Sequence, residues 1–343
     1  MDVEGSKSSP VPSSVVSAMT STWTSLCEAR KARKGKVVEG QVTGDDIAKF
    51  NKKSSKPIHK SSGKTGITVV ASCPGDDDLL LTGGVDKQAI VFNKATGKIV
   101  ATKAAGSKSV SSVSWKDPET FAVGSLDGTV KVFGGADYEE VANTNVGSTC
   151  VAVDVHPSGS YVLALSYDSL SVLDISSGEA LATLKEEGAG YTCGGLHPDG
   201  LIYAGGNQEG EIHVWDIKSG GKASTLKAEG KVCSIAFSEN GYHFAAGLEG
   251  GKVQVFDMRK QKLIGTAGGE GFGAIGSLGW EGSGKYLAFA GAGKVGVVET
   301  KKWSEVVVEL KEHKKDVTGV AWGKGGQWLA SVGLDRQVKV YRV

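Results

Sequence analysis

Proline is scarce in this chain, with 7 residues against 50 glycines in 343. Turns must therefore be made by glycine and small polar residues, which suits many tight connections between short strands. No run approaches the roughly 20 apolar residues of a membrane helix, and the N-terminus lacks the apolar core of a signal peptide. A soluble, non-exported chain with no membrane partner is expected. The five cysteines, Cys27, Cys73, Cys150, Cys193 and Cys233, are an odd number with no Cys-x-x-Cys pair. That spacing speaks against a disulfide framework or a zinc site and for a reducing compartment. Four of the five fall on expected inner strands, where a free thiol behaves as a small hydrophobe.

What is present is a repeat. Asp316–Val343 reads as three short runs rich in β-branched and aromatic residues separated by Gly-Lys-Gly-Gly and Gly-Leu-Asp-Arg, a strand–turn–strand–turn–strand pattern. The phrase recurs upstream, with Asp86 six positions before Phe92, Asp127 before Phe133, Glu209 before Trp215 and Asp335 before Tyr341. Asp168 comes one position late before Leu173, Gly250 stands before Phe256, and the unit around Gly293 is degenerate. Intervals cluster near 41 residues, so seven units fit. A period of about 40–45 residues with four strands per unit signals a β-propeller of WD type. The fold class is all-β, a seven-bladed propeller over 65–343.

The expected inner strands are Ile67–Cys73, Val110–Lys116, Thr149–Val155, Tyr191–Leu196, Lys231–Phe237, Ala274–Trp280 and Asp316–Trp322. Units one to six carry a fourth, outer strand, such as Lys98–Lys103, Glu179–Leu184 and Lys262–Thr266. The seventh has none, and a bare sheet edge invites foreign pairing. A strand at roughly Lys56–Ser61 should therefore pair with Gln337–Val343 and close the ring.

Ahead of the ring lies a basic arm. Residues 1–66 hold 12 Lys/Arg and 6 Asp/Glu, whereas the remainder holds 27 and 32. Residues 1–14, rich in Ser and Pro, should be disordered, and 15–64 form a helical arm and linker that contains the closing strand. Val16, Met19, Trp23, Leu26, Cys27 and Arg30 recur at helical spacing, with Gly35 as a stop. The single apolar stripe fits packing on the chain's own propeller or docking to another chain. Arg30, Lys31, Arg33, Lys34 and Lys36 make a cluster that reads as an import signal, an RNA contact or a solvated face. Asp45–Phe50 is a short helix with an acidic first turn suited to the helix dipole.

No cofactor, metal or catalytic motif stands out. His156 and His197 precede proline at the same repeat position and belong to a turn. His313, Ser331, Asp335 and Tyr341 combine the residue types of a catalytic triad, but in WD-repeat proteins this set is a buried structural tetrad. The other units are expected to lack its histidine, so their turns must be held differently. Gly268–Gly273 has neither the Lys-Ser/Thr nor the strand-to-helix setting of a phosphate loop. Function must come from surfaces, and the loops from outer to inner and from second to third strands offer Lys87, Lys108, Tyr191, Glu209, Glu249, Phe272, Lys294 and Arg336. Tyr191 and Phe272 are the expected aromatic anchors.

Several segments carry a closer likeness: LTGGVDKQAIVFNKATGKIVAT (81–102), LHPDGLIYAGG (196–206), IAFSENGYHFAAG (235–247), VFDMRKQKL (255–263), GLDRQVKVY (333–341), and the arm LCEARKARKGKVVEGQVTGDDIAKF (26–50). These resemble the C-terminal propeller and preceding linker of the pre-mRNA-processing factor nineteen family, fungal members especially, over about 15–343. The resemblance implies a nuclear scaffold for spliceosomal proteins and ubiquitination substrates, with a part in DNA repair. In that family an N-terminal U-box gives ubiquitin-ligase activity and a coiled coil gives homo-oligomers; neither is seen before Val15, so ligase activity is expected outside these residues. The alternative is an unrelated WD-repeat adaptor with cytoplasmic partners.

Overall fold

The computed structural model describes residues 10–33, 41–59 and 66–343. Its core is seven four-stranded antiparallel sheets arranged as blades of a propeller. The inner strands are Ile67–Ser72, Val110–Asp117, Cys150–Val155, Tyr191–Leu196, Val232–Phe237, Ser277–Trp280 and Val317–Trp322. Blade six departs from the expected register at its start. Gly273 adopts φ 56°, and the N–H groups of Ile275 and Gly276 bond to Leu248 and to Ala290 instead of laddering, so its inner strand begins only at Ser277.

Second strands are nearly all buried and third strands are mostly buried along their middle, because blades stack face to face and cover both sides of these strands. Outer strands alternate with exposed residues. Neighbouring blades are also stitched near the axis by hydroxyl groups on the inner strands. Thr68 Oγ1 donates to the Val110 carbonyl at 2.7 Å, Thr192 Oγ1 to Val232 at 2.5 Å, Ser234 Oγ to Ile275 at 2.7 Å, and Thr318 Oγ1 to Ile67 at 2.6 Å. The last of these crosses the seam between blade seven and blade one.

The seam is closed as a missing outer strand requires, with a corrected address. Asn51–Pro57 pairs antiparallel with Gln337–Arg342, from Asn51 opposite Arg342 to Pro57 opposite Gln337. The strand therefore starts five residues before the expected Lys56, and of the expected segment only Lys56 and Pro57 take part; Lys60 and Ser61 lie outside the described residues. The reason is that Ile58 and His59 are needed elsewhere. Ile58 is buried in the core shared by blades one and seven, and His59 is buried under blade one. On the opposite side of the seam Asp77 accepts from Trp328 Nε1 at 2.6 Å and from the Lys324 N–H at 2.8 Å.

The arm lies on the face made by first-to-second and third-to-fourth strand turns. Helix α1, Ser13–Arg33, buries Val15 and Met19 among Leu163, Leu184, Tyr203 and Trp215 of blades three and four. Trp23 stays 39% exposed, so the apolar stripe packs through its first two turns only. The expected stop, Gly35, lies outside the described residues. Helix α2, Gly44–Ala48, is opened by a capping box in which Thr43 and Asp46 satisfy each other's backbone N–H groups. It seats Ile47, with Val42 and Phe50, against Tyr286, Trp322 and Leu329 of blades six and seven. The chain then climbs the rim as the closing strand and reaches the other face at His59.

The paired His-Pro turns also tie blades together. His197 Nε2 is 3.1 Å from the Gly241 carbonyl in the next blade's turn, and Gly200, at φ 82°, lies so close over His156 that a Cβ there would sit 2.3 Å from its Nε2. Burial holds His156 down at about 4 and also lowers His197. A histidine lowered from 6.5 binds fewer protons folded than unfolded between the two values. Its stabilisation is therefore complete above about 6.5 and is lost as pH falls toward about 4. Asp154, pushed up to about 6 by burial in the inner strand of blade three, opposes this, since its contribution is lost as pH rises from about 4 to 6. The unfolding midpoint is expected to drop between about pH 7 and 5, and to drop less in His156→Gln. Parallel pH profiles for the two proteins would refute the assignment. Deleting residues 1–57 is expected to lower the unfolding temperature and cause self-association through the bared Gln337–Arg342 edge, read by size-exclusion chromatography.

Candidate partner-binding face

The second face, formed by outer-to-inner loops and second-to-third strand turns, is held rigid from below by buried polar groups. In blade seven His313 Nδ1 stands 3.0 Å from Asp335 Oδ1 and its Nε2 2.6 Å from Ser331 Oγ, which is 3.2 Å from Tyr341 OH. Burial lowers His313, keeping the ring neutral, so that Nδ1–H donates to the carboxylate. Burial pushes Asp335 up, but the hydrogen bonds from His313 and from the Lys314 and Gln337 N–H groups outweigh it and hold the carboxyl low. The set ties together a loop, two strands and a turn.

Blade one has the same device, which corrects the expectation that other units lack the histidine. His59 Nδ1 is 2.8 Å from Asp86 Oδ1 and Nε2 is 3.0 Å from Thr82 Oγ1. It escaped the repeat alignment because it precedes the first unit, beyond the closing strand. Elsewhere substitutes appear. Asp127 accepts from the Ser107 hydroxyl and N–H and from the Thr129 N–H, which together overcome burial and hold it well below the usual range. In blade three Asp168 takes Ser148 and Ser166. In blade four Asn207, not Glu209, caps the turn by accepting from the N–H groups of Glu209 and Glu211.

Two of the eight surface candidates are interior. Tyr191 is 1% exposed because its hydroxyl links His213 Nδ1, at 3.0 Å, to Trp215 Nε1, at 3.1 Å. Phe272 is 7% exposed, packed on Phe289 at 4.8 Å between ring centres. Neither can anchor a partner. Lys87, Lys108, Glu209 and Glu249 are exposed, and Lys294 and Arg336 are half-buried. Glu249 pairs with Lys231 at 3.1 Å and Lys294 with Glu309 at 3.2 Å.

Apart from Glu249, one ring of residues on this face was missed, although its position was readable: each immediately follows a second strand. In blade order they are Val85, Leu126, Tyr167, Gln208, Glu249, Ala292 and Leu334. The N–H groups of Val85, Leu126, Glu249 and Leu334 each donate to the carbonyl of the residue just before their own blade's inner strand, at 3.0–3.1 Å, which ties them to the innermost strands around the mouth of the ring. Leu126 is 38% and Tyr167 46% exposed.

The basic arm is partly spent on the opposite face. Arg30 is ion-paired with Asp199 and donates from Nε to the Glu239 carbonyl at 2.9 Å. Lys31 is exposed; the side chain of Arg33, and Lys34 and Lys36, lie outside the described residues. Among the described residues no cluster of His, Cys, Asp or Glu could hold a metal ion, and no helix is long and apolar enough to cross a membrane. Cys150 and Cys193 are buried thiols pushed up to about 12 by burial.

The chain matches the family model for the N-terminal propeller domain of nucleolar protein 10-like proteins over residues 135–341, and the WD domain, G-beta repeat model over 97–134. It is 32% identical over 333 residues to Pre-mRNA-processing factor 19 of Mus musculus, covering 95% of this chain and 66% of that protein. The Arabidopsis thaliana Pre-mRNA-processing factor 19 homolog 2 is 30% identical over 354 residues, covering 96% and 64%. The Caenorhabditis elegans Pre-mRNA-processing factor 19 is 30% identical over 324 residues, covering 92% and 65%. The chain thus spans about two thirds of the length of these curated relatives.

Arg30→Ala is expected to free the end of helix α1, giving faster tryptic cleavage at Lys31 with little change in the melting of the ring, since a partly exposed ion pair contributes at most about 1 kcal/mol. Equal cleavage rates would show that Arg30 does not hold the arm. His313→Ala should cost about 1–3 kcal/mol in denaturant unfolding by leaving Asp335 and Ser331 unpaired.

Proposed function

Because the chain belongs to the pre-mRNA-processing factor 19 family of WD-repeat propellers, we propose that it is a rigid protein-interaction scaffold that gathers pre-mRNA-splicing proteins in the nucleus. The observation that carries this reading is the division of faces. The arm occupies one face, through Val15 and Met19 at blades three and four, Arg30 at blades four and five, and Val42 and Phe50 at blades six and seven. The other face presents its loops on hydrogen-bonded supports, such as His313 with Asp335 and His59 with Asp86. A surface fixed before binding loses little conformational freedom on complex formation.

In this reading Lys87, Lys108, Glu209, Glu249, Lys294 and Arg336 belong to the partner-contacting face. Lys31, with its neighbours in the arm, is left for import or RNA contact, Arg30 being engaged with the ring. Ubiquitin-ligase activity, ubiquitination substrates and homo-oligomers are assigned to the intact protein through parts other than the described blades.

Immobilised protein incubated with nuclear extract should retain splicing proteins identifiable by mass spectrometry. The Lys87→Glu/Lys108→Glu/Arg336→Glu protein should retain them several-fold less, as close charge contacts at an interface are worth a few kcal/mol together. A native ring that captures no splicing protein ends this reading.

A further inference from the structure

The mouth-facing residues divide by chemistry as well as by blade. Leu334, Val85, Leu126 and Tyr167 follow the second strands of blades seven, one, two and three, which are consecutive around the ring once the seam is closed. The next two blades carry Gln208 and Glu249 at the same register. Blades seven, one, two and three therefore form an arc of larger apolar side chains, blades four and five are polar, and blade six carries the small Ala292.

Charge follows the same division. Over the arc stand Lys314, Lys315 and Arg336 of blade seven, Lys87 of blade one and Lys108 of blade two, and none of these five side chains has an ionic partner among the described residues. The carboxylates there are turned inward: Asp86 and Asp335 to histidines, and Asp127 to Ser107. Asp168, Glu312 and Asp316 are the exposed exceptions, of which Glu312 is paired with Lys52 and Asp168 accepts from Ser148 and Ser166. Over blades four to six the pattern inverts. Lys231, Lys252 and Lys294 are each paired with a glutamate at 3.0–3.2 Å, while Glu187, Glu209 and Glu270 are exposed.

Resting on the scaffold reading above, we propose that this half-mouth binds an extended protein segment in which acidic residues flank an apolar anchor. The anchor lies on Leu126 and Tyr167, and the acidic flanks meet Lys87, Lys108, Arg336 and the two lysines of the blade-seven loop. Unpaired cations at the edge of an apolar patch attract an acidic partner without the cost of breaking existing pairs. A nucleic-acid strand fits less well. Its phosphates would meet Glu187, Glu209 and Glu270 on crossing the mouth, and Tyr167 is the sole exposed aromatic of the arc available for base stacking. The acidic half also sets direction, because it repels the flanks and holds the segment to the side of blades seven to three.

The test uses the full chain and fluorescein-labelled peptides of about 12 residues. Each carries a central Leu-Trp-Leu flanked by Asp/Glu, by Ser/Gly or by Lys/Arg, and an unstructured oligouridylate of similar length serves as the nucleic-acid arm. By fluorescence anisotropy the acidic peptide should bind about 10-fold tighter than the Ser/Gly peptide, and weaken with salt. Lys87→Glu/Lys108→Glu/Arg336→Glu and, separately, Leu126→Ser/Tyr167→Ser should each loosen it about 10-fold, with circular dichroism melting unchanged, whereas Glu270→Ala should leave it within about 2-fold. Equal affinity for acidic and basic peptides, or tighter binding of the oligouridylate, overturns the proposal. Failure of capture from nuclear extract with acidic-peptide binding intact removes the splicing assignment alone. Capture that survives in both multiple variants removes the acidic-segment proposal alone.

Discussion

Pairing of the last sheet edge is the constraint on which the molecule depends. Seven sheets cannot form a ring unless the seventh blade acquires a fourth strand, and Asn51–Pro57 supplies it from the other end of the chain. That strand is polar, Asn-Lys-Lys-Ser-Ser-Lys-Pro, and almost wholly exposed. Its lysines and terminal proline are residues that discourage a further strand from adding outside it. Beyond it, Ile58 and His59 enter blade one, so one short segment secures both sides of the seam.

The number of blades and most strand limits were legible because the period of about 41 residues and the alternation within it survive even where motifs decay. The closing strand was legible only as a vacancy. Nothing in its composition favours a strand, and its register is set by where Ile58 must be buried, which is tertiary information. The same holds for the supports. His59 lies outside the repeat unit it serves. In blade four Asn207 replaces the expected acid two positions earlier, and Tyr191 with His213 forms a bridge with no counterpart in blade seven.

The candidate face was half legible. Of the charged residues read from loop membership four are exposed and two half-buried, but aromatic character alone misplaced Tyr191 and Phe272, since loop ends next to an inner strand are where a propeller inserts side chains into its core. The position that does reach the mouth, directly after each second strand, was present in the alignment and needed only to be followed around the ring. Arg30 shows the reverse case. A cluster of positive charge suggested a free surface, yet the first of its members serves as a clamp between two blades.

The position of the closing strand ahead of all seven blades in the chain has a consequence for biosynthesis. Blades one to six can assemble as the ribosome delivers them, each stacking on its predecessor, but the ring stays open until Gln337–Arg342 leave the exit tunnel. Throughout elongation Asn51–Pro57 must wait without its β-sheet partner, and a lysine- and serine-rich stretch is well suited to waiting in water. Emergence of the last blade and closure of the ring are thereby made the same event.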